Sequence, residues 1–245
     1  MLDIDKTILS LQLEGNKDPV KAFFGLISHD AYKQLENNVE SILHEAELPY
    51  FSSLKFLKRK KDYLTGCYIA KSVIAKYLNE KNLSSIQISS GVFKHPFIRY
   101  QGWEIPGVSV SHSDDYSGAI VFPQWHPMGI DIEKINTAKL DIIKRQLTDE
   151  EINIIQKNGM DSIDTYCQMW AIKEALSKSL KCGLTTPFSI LEIDKVEFGD
   201  NGKIQCHFKN FGQYRSYSFL LNGYAIALVM PKNTVMNLFN KLLFK

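Results

Sequence analysis

The chain has few cysteines, little net charge and no long apolar run, and each shortage closes off a class of function. Its 245 residues include only Cys67, Cys167, Cys182 and Cys206, with no Cys-x-x-Cys pair. That is too sparse for a secreted disulfide scaffold and lacks the paired spacing of a zinc site, so all four are expected as thiols. A net charge of +2 argues against nucleic acid as the main partner, while leaving local basic patches open. The longest apolar run, Tyr224 to Met230, is far too short to span a bilayer, and the opening Met1-Leu2-Asp3-Ile4-Asp5-Lys6 has early acids. A cytoplasmic location without a membrane partner is the expectation. No Walker lysine loop is present either. With 44% hydrophobic and 23% charged residues the chain can bury a normal core, as one large domain or two small ones.

Local pattern gives a mixed order of elements. Leu9, Leu11 and Leu13 alternate as in a half-buried strand that Gly15 and Asn16 end. Tyr32, Leu35, Val39, Ile42, Leu43 and Ala46 fall at helical spacing, which predicts one helix with Pro49 just beyond it. The basic stretch Lys55 to Lys61 leads into a helix marked by Tyr63, Cys67, Ala70, Ile74, Tyr77 and Leu78. Strands are expected near 85–89, 108–111 and 118–122. A second series follows: a helix near 148–156, with Thr148 and Glu151 as a capping box, and a helix around Trp170. Strands near 191–198, 203–209, 215–221 and 225–229 complete it. The segment from Ala70 to Leu78 lines up with Ile172 to Leu180, keeping both lysines and the final leucine, and Tyr116 to Val121 echoes Tyr224 to Val229. Pro123 and Pro127 interrupt strand pairing between the two series, which places a boundary there, with halves 1–125 and 126–245.

The chemistry is concentrated in three segments. In the extended run Gly129-Ile130-Asp131-Ile132-Glu133, side chains two apart share a face, so Asp131 and Glu133 point one way and the isoleucines the other. Two carboxylates forced into one space repel unless a cation sits between them, and such oxygen ligands suit Mg²⁺, with Mn²⁺ also possible. In the Trp170 helix, Met169, Ile172, Leu176 and Leu180 form an apolar stripe. Glu174 and Lys178 fall nearly opposite, which adds a third carboxylate and a cation for a phosphate oxygen. The third segment is Ser111-His112-Ser113. Each piece alone has a simpler reading: solvated acids on a strand, a surface Glu-Lys pair, a turn histidine. Only their combination in this order points to a metal and phosphate site.

That combination, with Lys173-Glu174-Ala175, Gly183-Leu184 and Pro187, resembles the 4'-phosphopantetheinyl transferases of the larger, pseudo-dimeric Sfp type over about residues 55–190. The resemblance implies an α+β fold of two similar α+β subdomains related by pseudo-twofold symmetry, with coenzyme A in the cleft between them. The implied reaction moves phosphopantetheine from coenzyme A, the substrate, to a serine of an apo acyl or peptidyl carrier protein. It implies Asp131, Glu133 and Glu174 as metal ligands, Glu174 as the group taking the serine proton, and Lys178 and His112 on the phosphates. Ser111 and Lys94 join the coenzyme A contacts, and Lys58, Arg59, Lys60 and Lys61 are the candidates for its 3'-phosphate. Two departures stand out. Many relatives have a Gly-Arg pair where this chain has Gly66-Cys67, and Gly-Lys-Pro where it reads Phe93-Lys94-His95-Pro96. Monomer is the expected state. A Mg²⁺-dependent phosphohydrolase and a non-catalytic carrier-binding module are the alternatives.

Overall fold

The computed structural model describes residues 4–14, 20–91, 93, 95–101 and 105–236. The chain divides into two compact units, Met1–Pro127 with Asn233–Lys245, and Met128–Lys232. Both are α+β, each an antiparallel sheet with one long helix packed on it.

The first unit opens with β1 (Thr7–Glu14) and β2 (Val20–Ser28) and continues through short helices α1 (Tyr32–Glu36), α2 (Val39–Ile42) and α3 (Leu48–Ser53). The long helix α4 (Leu57–Leu78) follows. After it come the hairpin β3 (Gln87–Ser90) and β4 (Pro96–Arg99), then β5 (Gly107–Ser113) and β6 (Tyr116–Phe122). Burial of Leu64, Tyr68, Ile69, Val73 and Ile74 along α4 ties the helix to the sheet, where it meets β2 and β6. The approach is close at Gly25 of β2, where a Cβ would stand 2.7 Å from Val73 and 2.8 Å from Ile69. A methyl there would force the Val73 and Ile69 side chains to shift.

The second unit runs β7 (Gly129–Lys134), α5 (Leu140–Lys144), α6 (Asp149–Lys157), α7 (Ile163–Ser179), β8 (Ile193–Phe198), β9 (Ile204–Phe208), β10 (Tyr214–Leu221) and β11 (Tyr224–Pro231). Its sheet order is β7-β11-β10-β9-β8, and α7 packs on β7, β11 and β10 through Met169, Ile172 and Leu176, all fully buried. A last short strand, β12 (Val235–Met236), pairs with β1. The first sheet therefore reads β12-β1-β2-β6-β5. The division thus falls at Met128, and the residues from Asn233 onward, expected in the second half, group with the first unit.

Two sequence expectations change. The single helix over 32–46 is two short ones, α1 and α2, because Asn37 and Asn38 turn the chain and the Asn38 side chain donates to the Gln34 carbonyl. Pro49 lies in the first turn of α3 instead of beyond a helix end, a place where its missing N–H is no loss. The strand β2 was not expected at all. Its Ala22, Phe23, Phe24, Leu26 and Ile27 are all buried, so the period-2 alternation that marks a half-exposed strand is absent. The other predicted strands and helices are present within a few residues of their expected ends, including the Thr148–Glu151 capping box. Gly15 and Asn16 lie outside the described residues.

Candidate metal and phosphate site

In the second unit, β7 sets the carboxylates. Ile130 and Ile132 are buried, while Asp131 and Glu133 take the alternate face. The strand and α7 touch through main chain: a Cβ on Gly129 would lie 2.0 Å from the Ala175 carbonyl oxygen. That contact brings the last turns of α7 against β7, and Lys178 Nζ donates to Asp131 Oδ1 at 2.7 Å. Glu133 accepts from Trp170 Nε1 at 3.3 Å and lies 3.7 Å from Lys139 Nζ. The Trp170 ring is itself held by stacking on Phe188, with centroids 4.8 Å apart.

The electrostatics record the crowding of acids. Burial, followed by the charge of Asp131, pushes the Glu174 carboxyl up to about 7, with Lys178 opposing. Burial and then Asp131 also raise Glu133. Three carboxylates in one field, two of them reluctant to ionise, form the oxygen donor set that a hard divalent cation would relieve. Among the described residues no group of three His, Cys, Asp or Glu side chains is arranged to hold a metal ion as it stands. Lys178 supplies the positive charge at Asp131 instead. The donor chemistry fits Mg²⁺ or Mn²⁺.

Glu151 has a different task. Its side chain accepts from the Thr148 and Ile193 backbone N–H groups and from Lys173 Nζ at 2.7 Å, and neither Glu151 nor Lys173 reaches solvent. Desolvation holds the Lys173 ammonium below the usual lysine range. This buried pair fixes α6 to α7. It is the framework of the site, and nothing in the helical pattern alone separates Lys173 from an exposed lysine.

In the first unit, His112 projects from β5 and lies 3.9 Å from Asp62 of α4. Asp62 is 6% exposed and stands 3.8 Å from His29 as well. His29 Nε2 shares a hydrogen bond with Ser117 Oγ at 2.9 Å, and Ser117 Oγ bonds Thr65 Oγ1 at 2.9 Å. Burial lowers the His29 imidazole. Of the basic run, Lys58 is bound to Asp114 at 2.8 Å, Lys60 lies over the Phe51 ring, Lys61 lies over the Tyr32 ring, and Arg59 is exposed. These residues begin α4 instead of preceding it. Ser111 is buried in β5, and Lys94 falls outside the described residues. A cavity of about 240 Å³ opens beside this cluster, lined by Asp62, Tyr63, Gly66, Cys67, Val110 and His112 among others. Burial pushes the Cys67 thiol up to about 12, which keeps it protonated at neutral pH. Sequence reasoning missed Asp62. Its signal is an acid at the head of an inward series, Asp62, Gly66, Ile69 and Val73, at helical spacing.

The 4'-phosphopantetheinyl transferase superfamily model matches residues 127–229. The chain is 24% identical over 170 residues to the 4'-phosphopantetheinyl transferase gsp of Aneurinibacillus migulanus, covering 69% of this chain and 67% of that one. It is 27% identical over 133 residues to the 4'-phosphopantetheinyl transferase Sfp of Bacillus subtilis strain 168, covering 53% and 56%. It is 30% identical over 87 residues to the holo-[acyl-carrier-protein] synthase of Staphylococcus carnosus strain TM300, covering 34% of this chain and 74% of that protein. The matched stretch of the family model takes in β7, α7 and the four polar side chains that meet there.

Proposed function

Because the chain belongs to the 4'-phosphopantetheinyl transferase superfamily, we propose that it moves 4'-phosphopantetheine from coenzyme A to a serine hydroxyl of an apo acyl or peptidyl carrier protein. The serine oxygen attacks the pyrophosphate phosphorus next to the pantetheine. The bond from that phosphorus to the bridging oxygen breaks, and adenosine 3',5'-bisphosphate leaves with the electron pair. Such a reaction needs alignment and charge neutralisation more than covalent help.

Asp131, Glu133 and Glu174 would hold the divalent cation, which when bound would supply positive charge to the pyrophosphate oxygens. Lys178, now on Asp131 at 2.7 Å, turns to a phosphate oxygen and keeps its charge within the site. Glu174 takes the serine proton. In the metal-free chain burial and Asp131 raise its carboxyl to about 7, and a bound cation would lower it and favour the ionised form that accepts a proton. Trp170 fixes the Glu133 carboxylate by its indole N–H, so that ligand is oriented before substrate arrives. In the first unit, His112 and the basic turn at Lys58 to Lys61 are the groups offered to the phosphates of coenzyme A.

The observation that carries this reading is the convergence of Asp131, Glu133, Glu174 and Lys178 from one strand and one helix, with Glu133 and Glu174 both raised by Asp131. The test is intact-mass analysis of a panel of apo carrier domains incubated with the protein, coenzyme A and Mg²⁺, with an EDTA control. Metal-dependent gain of one phosphopantetheine on the carrier serine is expected. Metal-dependent release of the nucleotide without any carrier would point to a phosphohydrolase, and binding of carriers without gain would point to a docking module.

A further inference from the structure

Each oxygen of the Glu133 carboxylate faces a different donor. Oε1 accepts from the Trp170 indole N–H at 3.3 Å, and Oε2 lies 3.7 Å from Lys139 Nζ. The backbone that carries Lys139 is fixed at both ends. After β7 the Asn136 side chain accepts from the Ala138 N–H at 2.9 Å and starts the single 3-10 turn Thr137–Lys139. Leu140 and Ile143, packed in the core of the unit, then anchor α5. The chain thereby returns Lys139 beside the strand it has just left, with 48% of the lysine side chain in solvent against 26% of the glutamate. Glu133 is well enough shielded for this to be more than a screened surface contact.

The two donors differ in what they permit. A neutral N–H on Oε1 orients the carboxylate and leaves Oε2 for a cation. An ammonium at Oε2 stands where a cation would bind, and two positive centres a few ångströms apart repel. Of the charges that favour the ionised form of Glu133, Lys139 is the strongest, ahead of Lys178. Asp131 is covered in the same way by Lys178 at 2.7 Å. Two of the three carboxylates therefore already carry a lysine, which fits the finding that no three acids among the described residues stand arranged around a metal position.

We propose that Lys139 is the resident counter-ion of Glu133, which a divalent cation has to displace, so that Lys139 sets the metal concentration at which the site fills. The inference rests on the proposed metal role of Glu133 and does not depend on the transfer reaction. It gives Lys139 a part that a structural lysine does not have: its removal improves the site. The metal concentration needed is higher than the carboxylates alone would require.

The test is titration of the full chain with Mn²⁺ at low salt, free metal being read by electron paramagnetic resonance, for the wild type, Lys139→Gln, Lys139→Arg and Lys157→Gln. Lys157 ends α6, is exposed, and is not among the charges that act on Glu133, so its loss reports the effect of net charge alone. Lys139→Gln should tighten Mn²⁺ by about three- to tenfold, while Lys139→Arg and Lys157→Gln stay within about twofold of the wild type. The gain should shrink at about 1 M salt, because screening weakens the contest between charges. Unchanged or weaker Mn²⁺ binding in Lys139→Gln, or an equal gain in Lys157→Gln, would overturn the proposal. A wild type that binds no Mn²⁺ would overturn it together with the metal role of the three acids. Lys139 is half exposed, so its replacement leaves the core intact, and melting temperatures within about 2 °C of the wild type check this. In carrier loading, the Mg²⁺ concentration for half-maximal rate should fall in Lys139→Gln by the same factor as the Mn²⁺ constant. Absence of loading in every variant, with the metal titrations as expected, would leave this inference standing and count against the transfer reaction.

Discussion

The long helix of each unit carries a lysine that never reaches solvent, and the two are built alike. Lys71 of α4 donates to Glu47 at 2.5 Å and to the Ile42 carbonyl, while Glu47 also accepts from the backbone N–H groups of His44 and Ile88. Lys173 of α7 donates to Glu151 at 2.7 Å and to the Gln146 carbonyl, while Glu151 accepts from Thr148 and Ile193. Each pair ties the long helix to a preceding helical segment and to the strand after it. These are the two lysines that the internal repeat aligns, so the repeat is one of architecture as well as of sequence pattern.

One step away the likeness ends. Tyr116 stands opposite Ser28 and Tyr224 opposite Lys134, so matching β6 to β11 places Gly25 where the second unit has Asp131 and Ile27 where it has Glu133. Along the helices, Ser72 takes the place of Glu174 and the exposed Lys76 that of Lys178. The first unit keeps the frame and lacks the carboxylates. A buried ion pair can therefore be retained as scaffold while the chemistry on its neighbours differs, and charge in a core does not by itself mark a catalytic position.

The largest effect should come from breaking the second unit's chemistry alone. Asp131→Ala is expected to lower carrier loading by more than about 10³-fold, the several kcal/mol that metal-held charge supplies, with unchanged far-UV circular dichroism. An active, folded variant would dissolve the distinction between the units. Next, Lys71→Met and Lys173→Met each leave a buried glutamate without its cation and should each destabilise by about 3–5 kcal/mol in urea titration. Unequal losses in which one variant is near neutral would mean that the two pairs are not equivalent.

A smaller, pH-dependent effect separates Glu174 from its counterpart Ser72. The folded-state carboxyl near 7 lies above the ordinary 4.5, so across that window the native chain keeps a proton that the unfolded chain gives up. Without metal, this contribution to stability is full below about 4.5, falls as pH rises, and is gone above about 7. Glu174→Gln should flatten that part of the melting-temperature profile, and an unchanged profile would remove the raised carboxyl from the account. In the wild type, protons should also compete with Mg²⁺ below about pH 7, so the metal concentration for half-maximal loading should rise on acidification.

Much of the second unit was legible because its functional pattern is local. Asp131 and Glu133 follow from strand alternation, Glu174 and Lys178 from helical spacing, and the capping box from Thr148 and Glu151 three residues apart. What stayed hidden depends on contacts between distant segments. That Lys178 meets Asp131, 47 positions away, needs the fold. Lys173 reads as solvent-facing until Glu151 is seen to enclose it. The first unit was less readable for the same reason. A strand buried on both faces, β2, shows no alternation, and Asp62 at the end of a basic run reads as one more surface charge until His29 and His112 close on it.

The contact of Gly129 with the Ala175 carbonyl has a consequence for engineering. Where strand and helix meet through main chain, the spacing of Asp131 from Glu174 and Lys178 is set by backbone, not by the fit of interchangeable side chains. Heat-tolerant variants could be sought by reshaping the hydrocarbon filling under α7, at Ile172 or Leu176, without detuning the ligand spacing. A single methyl at position 129 would wedge the two apart and do so whatever the rest of the core contains.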